Sequence, residues 1–398
     1  MRVCIITTKY NFKVSGGSVG DIDLRARILT DLGHEVTVVS AFSRFNSDLP
    51  GFPYTFKAED IGSAGLLGIQ IGIYRLLKKY ERETDIFHVD GQVFLYGAGW
   101  YRFFGGKANV LGFFNHWPNA WADETVGNAP PVTPLLQPVK ALKKRVRFFL
   151  ERWFGVPLAN RMDAIIYNTP PLAEKFLGFG FKKGYVLPDF ADTEGMRKRE
   201  GMDAEKILSR QNPSEGIVTL LCAGRMLPEK GFAMVVRAFA WIPNKEKYRV
   251  ILSGTGPEFN TLKKLIADSH LEEFFYLPGW VAREKLLDFF RQAHVFIFPN
   301  WWPEYGAIVL EEAMSFGLAS IIPRGGALEW LSGGAAATFR QGDIADLASV
   351  MEKLGKDQHL RTHIAQNQLS HVRTLDYRNL GIRLEAILKS HTIQQTKG

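Results

Sequence analysis

The stretch GIVTLLCAGRMLPEKGFAMVVRAFAWIPNKEKYRVILSGTG (residues 216–256) decides the fold. It opens on an apolar run through Cys222, turns at Gly224, and closes on a second apolar run ending in Gly254 and Gly256. Between them, GFAMVVRAFAWI carries apolar residues at helical spacing. Strand, helix, strand in that order is a parallel crossover unit. Downstream, EFFYLPGW, HVFIFPN and LASIIPRGG read as further strands, and PEFNTLKKLIADS, REKLLDFFRQA and GDIADLASVMEKLGKD as helices. The upstream half has the same style. RVCIIT is a strand, and GDIDLRARILTDLG is a helix with Ile22, Ala26 and Leu29 on one side, stopped at Gly33. HEVTVVSAF, DIFHVD, KANVLGFFNH and MDAIIYNT are strands, with the helix LLGIQIGIYRLLKKYERE among them. This alternation predicts an α/β chain of two Rossmann-like, doubly wound domains facing a central cleft, with ligands at the carboxyl ends of the strands. The polar stretch VLPDFADTEGMRKRE places a hinge near 190–212. It divides a first domain, 1–190, from a second, 191–375, and a terminal helix, 376–398, is expected to pack back on the first.

A chain of 398 residues exceeds what one hydrophobic core holds. Its 46% hydrophobic and 13% aromatic content is globular. No apolar run reaches the roughly 20 residues needed to cross a bilayer. MRVCIITT reads as a buried first strand and not as a signal peptide. Cys4 and Cys222 both sit in apolar runs, so they read as core residues, and a reducing cytoplasm is the simplest home. The net charge of +8 favours an anionic partner. Nucleic acid is set aside, because no helix-turn-helix, finger or aromatic-sheet signature accompanies the charge. The segment from Asn119 to Pro138, with Pro130, Pro131, Pro134 and Pro138, has neither helical nor strand period and reads as a functional or mobile loop.

Four sets of residues carry chemistry. Gly16 and Gly17, in VSGGSVGD, lie between the first strand and first helix, where glycine lets backbone N–H groups approach a phosphate. They serve equally as a plain turn. Arg225 and Lys230 flank the loop that enters the helix near Gly231, and two cations at a helix N-terminus suit a diphosphate. Gly254 repeats the strand, glycine, helix device one unit later. WWPEYGAIVLEEAMSFG (301–317) then sets Glu304, Tyr305 and Gly306 before an apolar helix that contains Glu311 and Glu312. A carboxylate there needs a polar partner.

GRMLPEKG, SGTGPE, LPGWV, PEYGAIVLEEAMSFG and RGGALEW, in that order and spacing, resemble the C-terminal half of retaining glycosyltransferases of the GT-B fold, family 4. SGGS, LGHEVTVVS, DIFHVDG and FNHWP match the N-terminal half more loosely. The resemblance implies a nucleoside-diphosphate sugar donor held by the C-terminal domain and an acceptor held by the N-terminal one. It implies two glutamates eight positions apart, one on the donor's sugar hydroxyls and one on its ribose diol, which Glu304 and Glu312 satisfy. A carboxylate suits a diol because it only accepts hydrogen bonds. It also implies that the amides of Gly306 and Ala307 face the diphosphate or sugar, that Arg225 and Lys230 neutralise the leaving group, and that His116 lies near the reaction centre. Backbone contacts near Gly279 to Val281 would take the base. Tyr305 follows Glu304 directly, one residue sooner than the family's pattern, so counting from Gly306 selects Glu311 instead. Glu312 shares a helical face with Ile308 and Phe316, which predicts that it points inward, and it is taken as the second glutamate with Glu311 as the alternative. No paired-aspartate metal motif appears, and the expected catalyst needs neither metal nor cofactor.

The acceptor side rests on VKALKKRVRFFLERWFG. Leu142, Val146, Phe149, Leu150 and Trp153 share a helical face, and Lys140, Lys143, Lys144, Arg145, Arg147 and Arg152 surround it. A basic amphipathic helix with aromatic residues suits an anionic membrane surface, and it reads equally as a core helix with solvated charges. His88 and Asp90, at a strand end, are candidates for the acceptor side. The expectation is a peripheral protein on the inner face of the plasma membrane, with a glycolipid or lipid-linked saccharide as acceptor. A soluble sugar or sugar-phosphate acceptor, and a non-catalytic nucleotide-sugar-binding subunit, are the alternatives.

Overall fold

The computed structural model describes residues 1–12, 17–47, 49, 51–62, 65–115, 137–213 and 216–392. The chain divides into two compact units, Met1–Ala191 with Tyr377–Gly398, and Asp192–Asp376.

The first unit is built on a seven-stranded parallel sheet. Its strands are β1 (Arg2–Thr7), β2 (Glu35–Ser40), β3 (Thr55–Ala58), β4 (Ile86–Asp90), β5 (Asn109–Phe114), β6 (Ala164–Tyr167) and β7 (Tyr185–Val186). They lie in the order β3-β2-β1-β4-β5-β6-β7. Every residue of β4, β5 and β6 is buried, as expected for strands with helices on both faces. The helix Gly17–Asp31 buries Ile22, Ala26 and Leu29 against this sheet. The last helix, Tyr377–Thr392, adds Leu380, Leu384 and Leu388 to the same core. It is also tied polar group to polar group. His34 Nε2 meets Glu385 at 2.9 Å, and Asn109 donates to the His391 carbonyl at 2.5 Å.

The second unit has a six-stranded parallel sheet in the order β10-β9-β8-β11-β12-β13. These strands are β8 (Val218–Ala223), β9 (Tyr248–Ser253), β10 (Phe275–Gly279), β11 (Val295–Ile297), β12 (Ala319–Pro323) and β13 (Ala337–Phe339). Both units are therefore doubly wound. In each the strand order reverses once, at β1/β4 and at β8/β11. Crossovers leave to opposite sides at such a point, which opens a crevice at the strands' carboxyl ends.

The sequence reading passed over β3, β7 and β13, which are short edge strands, and the helix Leu95–Phe103. The polar stretch read as a hinge contains two short helices, Thr193–Arg199 and Ala204–Ser209. Asp192 and Asp203 cap them by accepting from the amides of Gly195 and Lys206. Cys4 and Cys222 are buried free thiols.

Candidate functional site

The crevice of the second unit is formed by the loops after β8, β9 and β11. Gly254 adopts φ +140°, and a Cβ there would collide with the Gly224 carbonyl, so the first two loops approach as only glycine allows. Met226 donates to the Thr255 carbonyl at 2.9 Å, and Trp301 Nε1 donates to the Pro228 carbonyl at 2.5 Å. These bonds knit the three loops together. Within them the Lys230 ammonium is hydrogen-bonded to the Glu304 carboxylate, which also accepts from Asn300 Nδ2 at 2.8 Å. Arg225 is exposed in the same loop after β8 as Lys230. Lys230 directly precedes Gly231, the cap of the helix Phe232–Ala240, so cations and a positive helix end share one place. Tyr305 and Ala307 are buried, Gly306 is half-buried, and the helix Ile308–Ser315 follows at once.

The two adjacent glutamates part company here. Glu311 is wholly buried, whereas Glu312 is half-buried and holds Arg283 through two bonds, of 2.6 and 2.9 Å. The Glu312 side chain is 12% exposed and meets a polar partner in Arg283, while Glu311 lies deeper still. Burial is decided by what lies against the helix, and Leu310, Ala313 and Met314 are the residues that pack with the core. Arg283, absent from the sequence reading, comes from the helix Arg283–Gln292, two positions after Val281. Val281 is half-buried against the same core, and Trp280 beside it is exposed. Among the described residues no group of three or more His, Cys, Asp or Glu is placed to hold a metal ion.

In the first unit a cavity of about 340 Å³ opens at the ends of β1, β4 and β5, where Thr7, Asp90 and Phe114 line it. Arg147 and Glu151 reach it from the basic helix. Beneath it Arg25 is fully buried. Its guanidinium lies 2.6 Å from Asp21, 3.5 Å from Asp90 and 3.8 Å from Asp189, and its carbon sits 3.7 Å from the centre of the Phe113 ring. Burial pushes the carboxyls of Asp21 and Asp90 up to about 6 against the pull of Arg25. His88 corrects an expectation. It is 1% exposed, does not line the cavity, and meets Arg25 through Nε2 at 3.1 Å. Burial, with Arg25 beside it, holds its imidazole well below the usual range and hence neutral. The signal for this cluster was present in the sequence. Asp21 and Arg25 are four apart, next to Ile22 and Ala26 on the apolar face of the first helix.

The basic helix is Gln137–Leu150, followed by a π-helical turn, Glu151–Gly155. Leu142, Val146, Phe149, Leu150, Trp153 and Phe154 are all exposed, with Phe149 at 56% and Trp153 at 65%. The face is therefore not core. Arg147 pairs with Glu151 at 2.9 Å. Lys140, Lys143 and Lys144 belong to this helix, but their side chains lie outside the described residues. So do Gly16 and His116, while Gly17 opens the first helix.

Two family models match. Residues 22–194 match the one described as Glycosyltransferase Family 4, and residues 203–371 the one described as Glycosyl transferases group 1. The lipopolysaccharide core biosynthesis glycosyltransferase LpsE of Rhizobium meliloti is 26% identical over 207 residues, 51% of this chain and 57% of that protein. Mannosylfructose-phosphate synthase of Agrobacterium fabrum is 23% identical over 244 residues, 58% of this chain and 54% of that one. The chain thus spans about half the length of these curated relatives. Among solved structures, Anabaena Alr3699/HepE in complex with UDP superposes with a TM-score of 0.73 at 15% identity, over 98% of this chain and all of that one. WaaG, a glycosyltransferase involved in lipopolysaccharide biosynthesis, superposes with a TM-score of 0.63 at 16% identity, over 97% and 99%.

Proposed function

The chain belongs to the GT-B glycosyltransferases of family 4, and from that membership we propose that it moves a hexosyl group from a nucleoside-diphosphate sugar to a hydroxyl of a membrane-associated glycolipid or lipid-linked saccharide. The observation that carries this is the joining of Lys230 and Glu304 in the crevice of the second unit, on the loop that also bears Arg225. The Lys230 ammonium and the Glu304 carboxylate neutralise each other. A bound donor takes both: Lys230 and Arg225 turn to the diphosphate, and Glu304 accepts from the sugar's hydroxyls. Charge grows on the diphosphate as its bond to the anomeric carbon breaks, and fixed cations at a helix N-terminus stabilise that charge without reorganising. This makes a metal unnecessary. Glu312 releases Arg283 to accept from the ribose diol. Retention follows if the acceptor hydroxyl attacks from the face the diphosphate leaves, with a departing phosphate oxygen taking the proton.

A nucleotide-sugar donor is supported by Alr3699/HepE, whose structures hold UDP and UDP-glucose. A lipid acceptor is supported by the exposed aromatic face of the basic helix and by the lipopolysaccharide roles in the names of LpsE and WaaG. It would place the protein on the inner face of the plasma membrane. Among the described residues no helix is long and apolar enough to cross one. A second reading, a soluble sugar or sugar-phosphate acceptor, is favoured by the match to mannosylfructose-phosphate synthase.

Thermal unfolding against UDP, GDP and ADP in EDTA tests the donor site. One of them at about a hundred times its Kd should add roughly 2.7 kcal/mol, and Arg225→Ala and Lys230→Ala should each remove the shift. A folded protein that answers none of them would be a non-catalytic relative.

A further inference from the structure

A second cavity, of about 310 Å³, lies within the second unit at the opposite end of its sheet from the crevice. Val218 and Tyr248, the first residues of β8 and β9, line it, so it opens at the amino ends of the strands. We infer that it seats the phosphate group of a small phosphorylated compound, apart from the diphosphate site. Lys247, Lys356 and Arg361 line it, and no carboxylate does. Arg361 carries the assignment. It is 2% exposed and donates to the carbonyls of Leu354, Gly355 and Gln211, at 2.6, 3.0 and 2.9 Å. Those partners are all neutral, and among the described residues the guanidinium forms no ion pair. A buried cation without a counter-ion is costly, and an anion in the cavity lowers that cost.

The nearby carboxylates do not fill that place. Asp357 acts on Arg361 from beyond ion-pair distance, and its side chain is engaged in capping the helix Gln358–Thr374, accepting from the Leu360 amide at 2.8 Å. Glu352 is bonded to Lys356, whose side chain is 61% exposed. A solvated pair one helical turn apart gives up little when its ammonium turns to a ligand. Lys247 is exposed and forms no ion pair among the described residues. The Asn212 and Asn244 side chains, both exposed, add neutral donors at the mouth. A phosphate monoester carries nearly two negative charges and three acceptor oxygens, which suits two ammonium groups over a buried guanidinium. A carboxylate brings one charge and two oxygens. The reaction proposed above makes no use of this end of the sheet, and the assignment does not rest on it.

The test is calorimetric titration of the full chain, at constant ionic strength, with inorganic phosphate, glycerol 3-phosphate, a short-chain phosphatidic acid kept below micelle formation, and acetate. At least one phosphate compound should bind, and acetate should not. Binding of the soluble compounds makes the source a metabolite, and binding of phosphatidic acid alone makes it a lipid. Arg225→Ala with Lys230→Ala should leave this binding in place, because those residues stand at the other end of the sheet. Lys247→Glu should weaken it by about tenfold or more, as for a lost hydrogen bond between charged groups. That variant should melt as the parent does, since the side chain is exposed. Arg361→Gln removes the buried charge and should weaken binding by a similar factor; should it not fold, Lys247→Glu decides. No binding by any phosphate compound, undiminished binding by Lys247→Glu, equal binding of acetate, or loss of binding in the Arg225 and Lys230 double variant would each overturn the assignment.

Discussion

At Glu311 and Glu312 one residue of helix, about 100° of rotation, separates a core position from a paired one. Glu311 is wholly inside, while the Glu312 side chain keeps 12% of its exposure and binds Arg283, which keeps 46%. Replacing each by alanine should therefore have opposite signatures. Glu311→Ala opens a cavity and should cost about 2–4 kcal/mol in urea unfolding. Glu312→Ala leaves Arg283 half exposed, where water replaces the lost carboxylate, and should cost about 1 kcal/mol. The order reverses for nucleoside-diphosphate affinity if Glu312 serves the ribose: Glu312→Ala should lose most of the thermal shift, and Glu311→Ala should retain it. A shift lost only in the Glu311 variant would return the role to that residue. Nothing in the order of these two residues could have shown which one the core receives. Lys230 and Glu304 were readable as loop residues of one family motif set, but their pairing spans 74 positions and exists only in the fold.

The basic helix shows the same limit on the scale of an element. Its spacing defined an apolar face, and spacing alone is satisfied equally by a core and by a membrane. Exposure argues against the core, because the Phe149 and Trp153 side chains are uncovered while the Glu151 side chain is buried. A double variant, Phe149→Glu with Trp153→Glu, should lose flotation with anionic phosphatidylglycerol vesicles. As both side chains are exposed, its stability should move by only about 0.5 kcal/mol. Binding of the parent protein should weaken as salt is raised, since the basic flanks are screened. Flotation unchanged by the double variant would remove the helix from the membrane contact.

On the scale of the whole molecule, the first unit is discontinuous: its core is completed by a helix that begins after the second unit ends. Leu384 is fully buried there beside Ile22, Ala26 and Val36. Leu384→Ala should cost the first unit about 2–5 kcal/mol, while whichever nucleoside diphosphate stabilises the parent should still stabilise the second. Loss of that response with Leu384→Ala would mean that the two units fold as one. The alternation of strands and helices was legible in the sequence because strands covered on both faces need unbroken apolar runs, and amphipathic helices repeat at 3.6 residues. The family was legible because its loops use glycines, cations and carboxylates in a fixed order. Those are local demands, and sequence by itself determined them. The tertiary structure alone decided that Arg25 gathers Asp21, Asp90, Asp189 and His88 beneath a cavity, that Glu311 is the deeper glutamate, and that the aromatic helix face stays uncovered. Each depends on which distant segments pack together, and burial, unlike periodicity, is set by neighbours in space.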